Sequence, residues 1–375
     1  SPTFADLDND GDLDMVAGYA DGYGYVTLFK NVNGKFVHFN GYANPFASVY
    51  TYSNLAVGGA KPQFLDADND GDLDLFVSGC VGDKSTVAIK YYENDGENTG
   101  VFVERTGADN PLGFVNIGPR AGAYYQGYGA LTFADVDNDG DLDAYVGAKY
   151  GDVNEFKNNG DNTFAPGTLH PTLSFPLGYY TPQLAFQDMD EDGDLDCLIG
   201  DKELATLPYH RNDGTGVFTR INNVNTVPEF DISHPGTLSG YLLNSSAIAD
   251  IDKDGDIDFI TANFYGEIRY FSGNGDGTFE ELTGASNPFG TITGGNFTRI
   301  DLVDYDNDGD VDLFMGEQAG TFRYFRNDAG VFNAQTGAAN PLNGVDAGAF
   351  STPQLIDFDL DGDLDLVSGD YGGVK

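Results

Sequence analysis

The sequence predicts an all-β, seven-bladed β-propeller with four-stranded blades, an acidic loop between the first and second strands of each blade, and an incomplete last blade. Three observations predict it. A nine-residue aspartate motif, first met as "DLDNDGDLD" at residues 6–14, begins again at 66, 135, 188, 250, 304 and 357. Each copy sits in the same succession of short apolar and alternating segments. No stretch combines helical periodicity with helix caps.

Every repeat is built in the same order. An apolar segment such as "PTFAD", "PQFLD" or "LTFAD" reads as strand one, and "MVAG", "LFVSG" or "CLIG", after the motif, as strand two. Alternating segments such as "YVTLFKN" and "EIRYFSGN" read as strand three; "KFVHF" or "GTFEEL", beyond a Gly/Asn turn, reads as strand four. Four repeats add a turn at Asn44-Pro45, Asn110-Pro111, Asn287-Pro288 or Asn340-Pro341. Four strands per unit, repeated radially, is a propeller pattern; the coils of a β-solenoid are shorter and more uniform. The blades start near residues 1, 61, 130, 182, 245, 299 and 352 of a single domain spanning 1–375. Long loops, such as 108–130 and 222–247, account for the unequal intervals. The seventh repeat stops at "SGDYGGVK", early in its third strand. The expectation is that the natural chain continues beyond Lys375, or that a second chain donates strands to this open edge and self-assembly follows.

Positions 1, 3, 5, 7 and 9 of the motif are aspartate in all seven copies. They are Asp6, Asp8, Asp10, Asp12 and Asp14; Asp66, Asp68, Asp70, Asp72 and Asp74; Asp135, Asp137, Asp139, Asp141 and Asp143; Asp188, Asp190, Asp192, Asp194 and Asp196; Asp250, Asp252, Asp254, Asp256 and Asp258; Asp304, Asp306, Asp308, Asp310 and Asp312; and Asp357, Asp359, Asp361, Asp363 and Asp365. At about 4 Å and an effective dielectric near 20, each like-charged pair costs roughly 4 kcal/mol. Such a cluster needs a counter-charge, and calcium, which takes about six to eight oxygens, is the natural one. Side chains at positions 1, 3 and 5 converge as the loop curls, position 7 offers its carbonyl, and position 9 closes the shell. Glycine at position 6, as in Gly11 and Gly71, permits the turn. Position 8 is always aliphatic (Leu13, Leu73, Leu142, Leu195, Ile257, Val311, Leu364) and is expected to plug the loop into the core. An EF-hand would need a glutamate at position 12, which here is Ala17, Val77, Val146, Ile199, Thr261, Met315 or Ser368. About seven calcium ions are expected.

The formal charge of −42 would repel nucleic acid and anionic membranes. Its source is local: seven motifs of five aspartates supply 35 of the 60 acidic residues, and the other 25 face 18 basic ones. No apolar run is long enough to span a membrane. The chain opens inside a motif, without Met or a signal-like start, and reads as a mature or trimmed piece of something longer. Cys80 and Cys197 read as separate, semi-buried free thiols. Asn244-Ser-Ser and Asn296-Phe-Thr are N-glycosylation sequons.

The pattern D-x-D-x-D-G-x-x-D between two strands, repeated along essentially the whole chain, resembles the FG-GAP/VCBS repeat family, which includes the propeller domains of integrin alpha subunits. The resemblance implies calcium held by side chains at positions 1, 3, 5 and 9 and by the position-7 carbonyl, in loops on the lower face. It implies ligand contacts on the opposite face, through loops joining strands two to three and four to one. Unlike integrins, every blade keeps the motif, and no integrin role is implied. The opposite-face loops carry Tyr50, Tyr52, Tyr124, Tyr125, Tyr128, Tyr179, Tyr180 and Tyr241, with Tyr19, Tyr23, Tyr150, Tyr265 and Tyr371. Such a rim either stacks on sugars, anchors a protein, or packs between blades.

No catalytic residue is assigned. His38, His170, His210 and His234 fall in no triad or zinc spacing, and no nucleophile elbow, phosphate loop or H-E-x-x-H motif occurs. The expected function is binding: a secreted, extracellular, calcium-loaded module for adhesion, recognition or scaffolding, with a protein or carbohydrate ligand opposite the calcium loops. The alternatives are a subunit of an extracellular filament or surface assembly, and a lyase-like enzyme acting on polysaccharides.

Overall fold

Alternating apolar residues turn each repeat into an antiparallel meander, and burial on both of its faces forces the meanders to stack around a ring. The computed structural model describes residues 2–18, 26–39, 44–47, 60–79, 89–94, 101–113, 115, 129–148, 151–161, 163–174, 182–200, 206–221, 230–231, 245–263, 266–370 and 373–374. Blade one pairs Pro2–Ala5, Asp14–Gly18, Val26–Asn31 and Phe36–Phe39 in that order. Blade two uses Lys61–Leu65, Asp74–Ser78, Lys90–Asn94 and Phe102–Arg105; blade three uses Gly129–Ala134, Asp143–Ala148, Asp152–Phe156 and Thr168–Leu169. Blade four uses Gln183–Gln187, Asp196–Gly200, Tyr209–Arg211 and Thr219–Arg220, and a separate short pair joins Thr206–Leu207 to Phe230–Asp231. Blade five uses Ser245–Ala249, Asp258–Ala262, Ile268–Gly273 and Phe279–Leu282; blade six uses Arg299–Val303, Asp312–Gly316, Phe322–Asn327 and Phe332–Gln335. No α-helix occurs among the described residues, and no helix is long and apolar enough to cross a membrane.

The expected count of seven four-stranded blades is corrected to six. The seventh motif sits in a three-stranded sheet of Thr352–Ile356, Asp365–Asp370 and Gly373–Val374, and a four-stranded blade needs one strand more than this sheet has. That sheet meets blade one: the Leu13 N–H donates to the Phe358 carbonyl at 2.8 Å, and the Phe36 and Phe358 rings lie 4.8 Å apart.

The register is identical in all seven sheets. The residue before position 1 pairs with position 9, as in Ala5 with Asp14, Leu65 with Asp74 and Ile356 with Asp365. Position 9 therefore opens the second strand, and positions 1–8 form the loop. The second strands are the most buried; every residue of Asp74–Ser78 and Asp258–Ala262 is buried. Apolar clusters cross from blade to blade, as where Phe76 and Tyr91 of blade two meet Leu131 and Val146 of blade three. Each fully buried aromatic or aliphatic side chain contributes about 1.5–3 kcal/mol of transfer free energy.

Two local devices hold the blades in shape. The four Asn-Pro turns are staples. Asn44, Asn110, Asn287 and Asn340 each donate Nδ2 to the carbonyl at or just before the start of strand three, and each Oδ1 accepts the N–H two residues on. The second device corrects an expectation. Position 2 reaches deeper into the core than position 8: Leu7, Ala67, Val136, Met189 and Ile251 are buried, while Leu73, Leu195, Ile257 and Val311 at position 8 are half-buried and pack against the core from its edge. Position 8 lies at the margin, and Leu142 is 39 % exposed.

Leu7→Ala should therefore cost about 2–5 kcal/mol, and Leu142→Ala less than about 1 kcal/mol. Chemical denaturation of the two variants checks this; equal costs would refute the assignment of position 2 as the plug.

Candidate metal centre

The loop's own hydrogen bonds set its shape. In all seven copies Oδ2 of position 1 accepts the position-6 glycine N–H, at 2.9–3.2 Å. In all seven, Oδ1 of position 5 accepts the position-7 N–H, also at 2.9–3.2 Å. The glycine has φ between 88° and 99°, a region that side chains disfavour. Position 4 is left-handed too, with φ between 53° and 61° at Asn9, Asn69, Asn138, Glu191, Lys253, Asn307 and Leu360. Asparagine in four of these seven places is the sequence signal for that bend, because its short polar side chain tolerates it.

These turns bring carboxylates together. One oxygen each of Asp6, Asp8 and Asp10 lies within 4.8 Å of the others, and so do those of Asp66, Asp68 and Asp70; of Asp135, Asp137 and Asp139; and of Asp250, Asp252 and Asp254. In the fourth loop the trio is Asp188, Asp190 and Asp196, with position 9 in place of position 5. Two further such groups occur. Position 7 joins none of these five trios. Its carboxylate in Asp141, Asp194 and Asp256 lies instead against the glycine of its own blade's turn between strands three and four (Gly160, Gly214, Gly275).

Position 9 is an anchor as much as a candidate ligand. Its Oδ1 accepts the N–H that ends strand three: Asn31 to Asp14 at 2.8 Å, Asn94 to Asp74 at 2.7 Å, Asn158 to Asp143 at 2.7 Å, Asn212 to Asp196 at 2.8 Å, Gly273 to Asp258 at 2.9 Å and Asn327 to Asp312 at 2.7 Å. Its Oδ2 accepts a strand-three tyrosine hydroxyl in four copies, from Tyr91, Tyr209, Tyr270 and Tyr324, at 2.7–3.0 Å. In those four copies both oxygens are engaged, so a cation would share them with donors. The sequence reading missed both partners; the recurring strand-three Tyr and Asn were the signal.

The donor set fits a hard cation. Buried oxygens without a hydrogen-bond donor include Oδ1 of Asp8, Asp137, Asp190 and Asp359 at position 3, Oδ1 of Asp188 and Asp250 at position 1, and Oδ2 of Asp14 and Asp365 at position 9. Buried acceptors are normally satisfied, so these mark where positive charge belongs. All are carboxylate oxygens, the donor type that calcium or magnesium selects. Three loops also have an internal cation from strand three: Lys30 Nζ lies 2.7 Å from Asp8, Lys157 Nζ 2.5 Å from Asp137, and Arg211 Nη1 3.4 Å from Asp190. Burial pushes the Asp14 carboxyl up to about 7 and those of Asp74, Asp196 and Asp258 to about 6, and neighbouring aspartates push the same way.

Other expected features fall elsewhere. All thirteen opposite-face tyrosines lie outside the described residues, as do Cys80, His234 and Asn244. Asn296 is exposed, and Cys197 is a free, buried thiol. His170 and His210 are buried core residues, while His38 is exposed and stacks on Phe29.

Models of the FG-GAP-like repeat match residues 6–77, 66–146, 135–199, 250–315 and 304–368. The chain belongs to this FG-GAP-like repeat family. That is the family the aspartate motif resembles. Among solved structures, the FG-GAP propeller is similar to an Agrocybe aegerita lectin described as recognising non-reducing terminal N-acetylglucosamine. The two share 22 % identity over 92 % of this chain and 81 % of that one, with a TM-score of 0.60. It is also similar to BBS1N in a complex with ARL6DN, at 10 % identity over 100 % of this chain and 89 % of that one, with a TM-score of 0.54. An Aleuria aurantia lectin matches at 11 % identity over 88 % of this chain and 93 % of that one, with a TM-score of 0.43. These likenesses speak to fold alone. No curated protein matches the chain.

The raised carboxyl pKa values give a signed pH dependence. In the chelated protein these groups hold protons more tightly when folded than the ordinary 3.8 allows. Their contribution is fully present below pH 3.8 and is lost as pH rises through about 6–7. His210, pushed down to about 4 by burial, Arg220 and His170, works the other way as a single group. Melting temperature of the chelated protein should therefore fall from pH 5 to pH 7.5. With excess calcium it should rise over the same range, because ligands must be deprotonated. Parallel slopes in the two thermal series would contradict metal binding at these loops.

Proposed function

We propose that this FG-GAP propeller is an extracellular recognition module, braced by calcium in its acidic loops and taking carbohydrate as its ligand class. The donorless, buried carboxylate oxygens of positions 1, 3 and 9 carry the calcium part of this reading. Positions 1, 3 and 5 would supply side-chain oxygens, position 7 its carbonyl, and position 9 an oxygen already fixed by strand three. Calcium accepts such irregular oxygen shells, whereas magnesium demands near-octahedral geometry. Its role would be structural, neutralising one loop per sheet and leaving the loops at the other end of the blades for recognition.

The likeness to the Agrocybe aegerita lectin over 92 % of the chain supports carbohydrate as the ligand class and recognition rather than catalysis. The BBS1N structure, solved with ARL6DN, favours a protein partner as the second reading. The extracellular setting rests on the calcium reading: extracellular calcium modules bind at about 10⁻⁴–10⁻³ M, concentrations met outside cells.

A glycan array run with calcium and with EGTA tests the proposal. Binding to a subset of glycans, lost on chelation and regained with calcium, is the expected result. Chelation should also lower the melting temperature by about 10 °C or more, since several sites each contribute through mass action. An array without hits would end the carbohydrate reading, and an unmoved melting curve would end the calcium one.

A further inference from the structure

At the acidic face, neighbouring sheets exchange two kinds of polar bridge. In the first, position 4 reaches the position-7 carboxylate of the next blade. Asn9 Nδ2 donates to Asp72 Oδ1 at 2.7 Å, Asn138 Nδ2 donates to Asp194 Oδ1, and Lys253 Nζ lies 2.5 Å from Asp310 Oδ1. In the second, the asparagine ending strand three donates to the position-2 carbonyl of the preceding sheet: Asn94 to Leu7 at 3.2 Å, Asn212 to Val136 at 2.6 Å and Asn31 to Phe358 at 3.1 Å. The N–H of each of these asparagines also holds position 9 of its own loop. Both bridges therefore run from one acidic loop to the next.

One seam lacks the side chains for either. Between blades four and five, position 4 is Glu191 and the asparagine is replaced by Gly273. A carboxylate offers acceptors only, and glycine has no side-chain amide. Glycine is also enforced there, because a Cβ at 273 would sit 2.3 Å from the Ile257 carbonyl oxygen. Every other seam keeps at least one of the two residues: Asn9 with Asn94, Asn69 with Asn158, Asn138 with Asn212, Lys253 with Asn327, Asn307, and Asn31. The bridges given above form at four of these six seams, those between blades one and two, three and four, and five and six, and between the seventh sheet and blade one. What crosses the seam between blades four and five is an apolar cluster of Met189, Leu198 and Tyr209 with Phe259, Phe271 and Phe279. Arg211 adds one long contact, its Nη1 3.5 Å from the Asp276 carbonyl.

We infer that the seam between blades four and five is the ring's built-in opening point, where adjacent acidic loops part first under stress. Its location rests on the side chains: both bridging residues are replaced there, by Glu191 and Gly273. That cation withdrawal is one such stress rests on the calcium reading above.

Hydrogen exchange of the full-length protein in sub-denaturing urea, with calcium and with EGTA, tests this. The reporters are the N–H groups of Met189, Ile251 and Gly273, bonded to Asp196 or Asp258, against those of Ala67 and Asn94, bonded to Asp74. The first set should exchange at lower urea than the second, and EGTA should lower both thresholds. Early exchange of the first set with no response to EGTA would uphold the seam while refuting the calcium reading. Exchange of both sets together, or of the second set first, would overturn the seam. Glu191→Asn, which regains a donor, should slow exchange of the first set about three- to tenfold. Glu191→Gly relaxes the same backbone, at φ 57°, without adding a donor, and should do much less. Equal effects of the two variants would overturn the role given to the bridge.

Discussion

Repulsion among five carboxylates packed into nine residues is the constraint that the rest of the structure answers. The loop spends its N–H groups on it first. Position 1 takes the glycine N–H and position 5 takes the position-7 N–H, in every copy. Position 9 is drawn into the sheet and held by strand three. The buried oxygens left without a donor lie mostly on positions 1, 3 and 9. A solvated acidic turn would spread its charges into water, whereas this loop gathers them and buries some of their oxygens. Without a cation that arrangement opposes folding, and with one it favours it.

The same constraint explains why the loop is so uniform although the sheets around it vary. Position 9 must enter strand two at one register so that its Oδ1 meets the strand-three N–H. Pairing of position 9 with the residue before position 1 fixes the loop at eight residues. Position 2 then falls into the apolar layer between sheets, and its carbonyl becomes the acceptor for the next blade's asparagine. Loop geometry, blade packing and blade-to-blade contact thus share a handful of atoms. The connections between strands two and three, and from one blade to the next, differ in length along the sequence.

Much of this was legible in the sequence, for identifiable reasons. Strand order followed from apolar spacing, and the acidic loop from period-two aspartates around an invariant glycine. The blade count was less legible because it was read from motifs. A motif records only the junction of strands one and two; the seventh repeat already reads as reaching only its third strand, and its three-stranded sheet does not make a seventh four-stranded blade. Position 8 looked like the plug because it is always aliphatic; four copies do pack against the core, but position 2 of the first five loops lies deeper. The left-handed bend at position 4 was hidden by Glu191, Lys253 and Leu360, which occupy a conformation usually given to asparagine or glycine. The tyrosine hydroxyls on position 9 come from a strand 12–17 residues away, a pairing no local motif shows.

The loops are alike in shape but unequal in charge. Lys30, Lys157 and Arg211 bring a side-chain cation to position 3 of the first, third and fourth loops. The corresponding strand-three residues of blades two and five are Glu93 and Ser272. Glu93 is an anion and adds like charge beside Asp68, although Arg105 pairs with it, Nη2 to Oε1 at 2.6 Å. In blade five, Asp252 accepts two long bonds, from the Tyr270 hydroxyl and from the Asp254 N–H, each at 3.3 Å, and no cation. A lysine beside a carboxylate trio repays part of the repulsion and also competes with an incoming ion. Loops two and five have no such relief and no such competitor. An external cation should therefore matter more to their shape than to that of loops one, three and four.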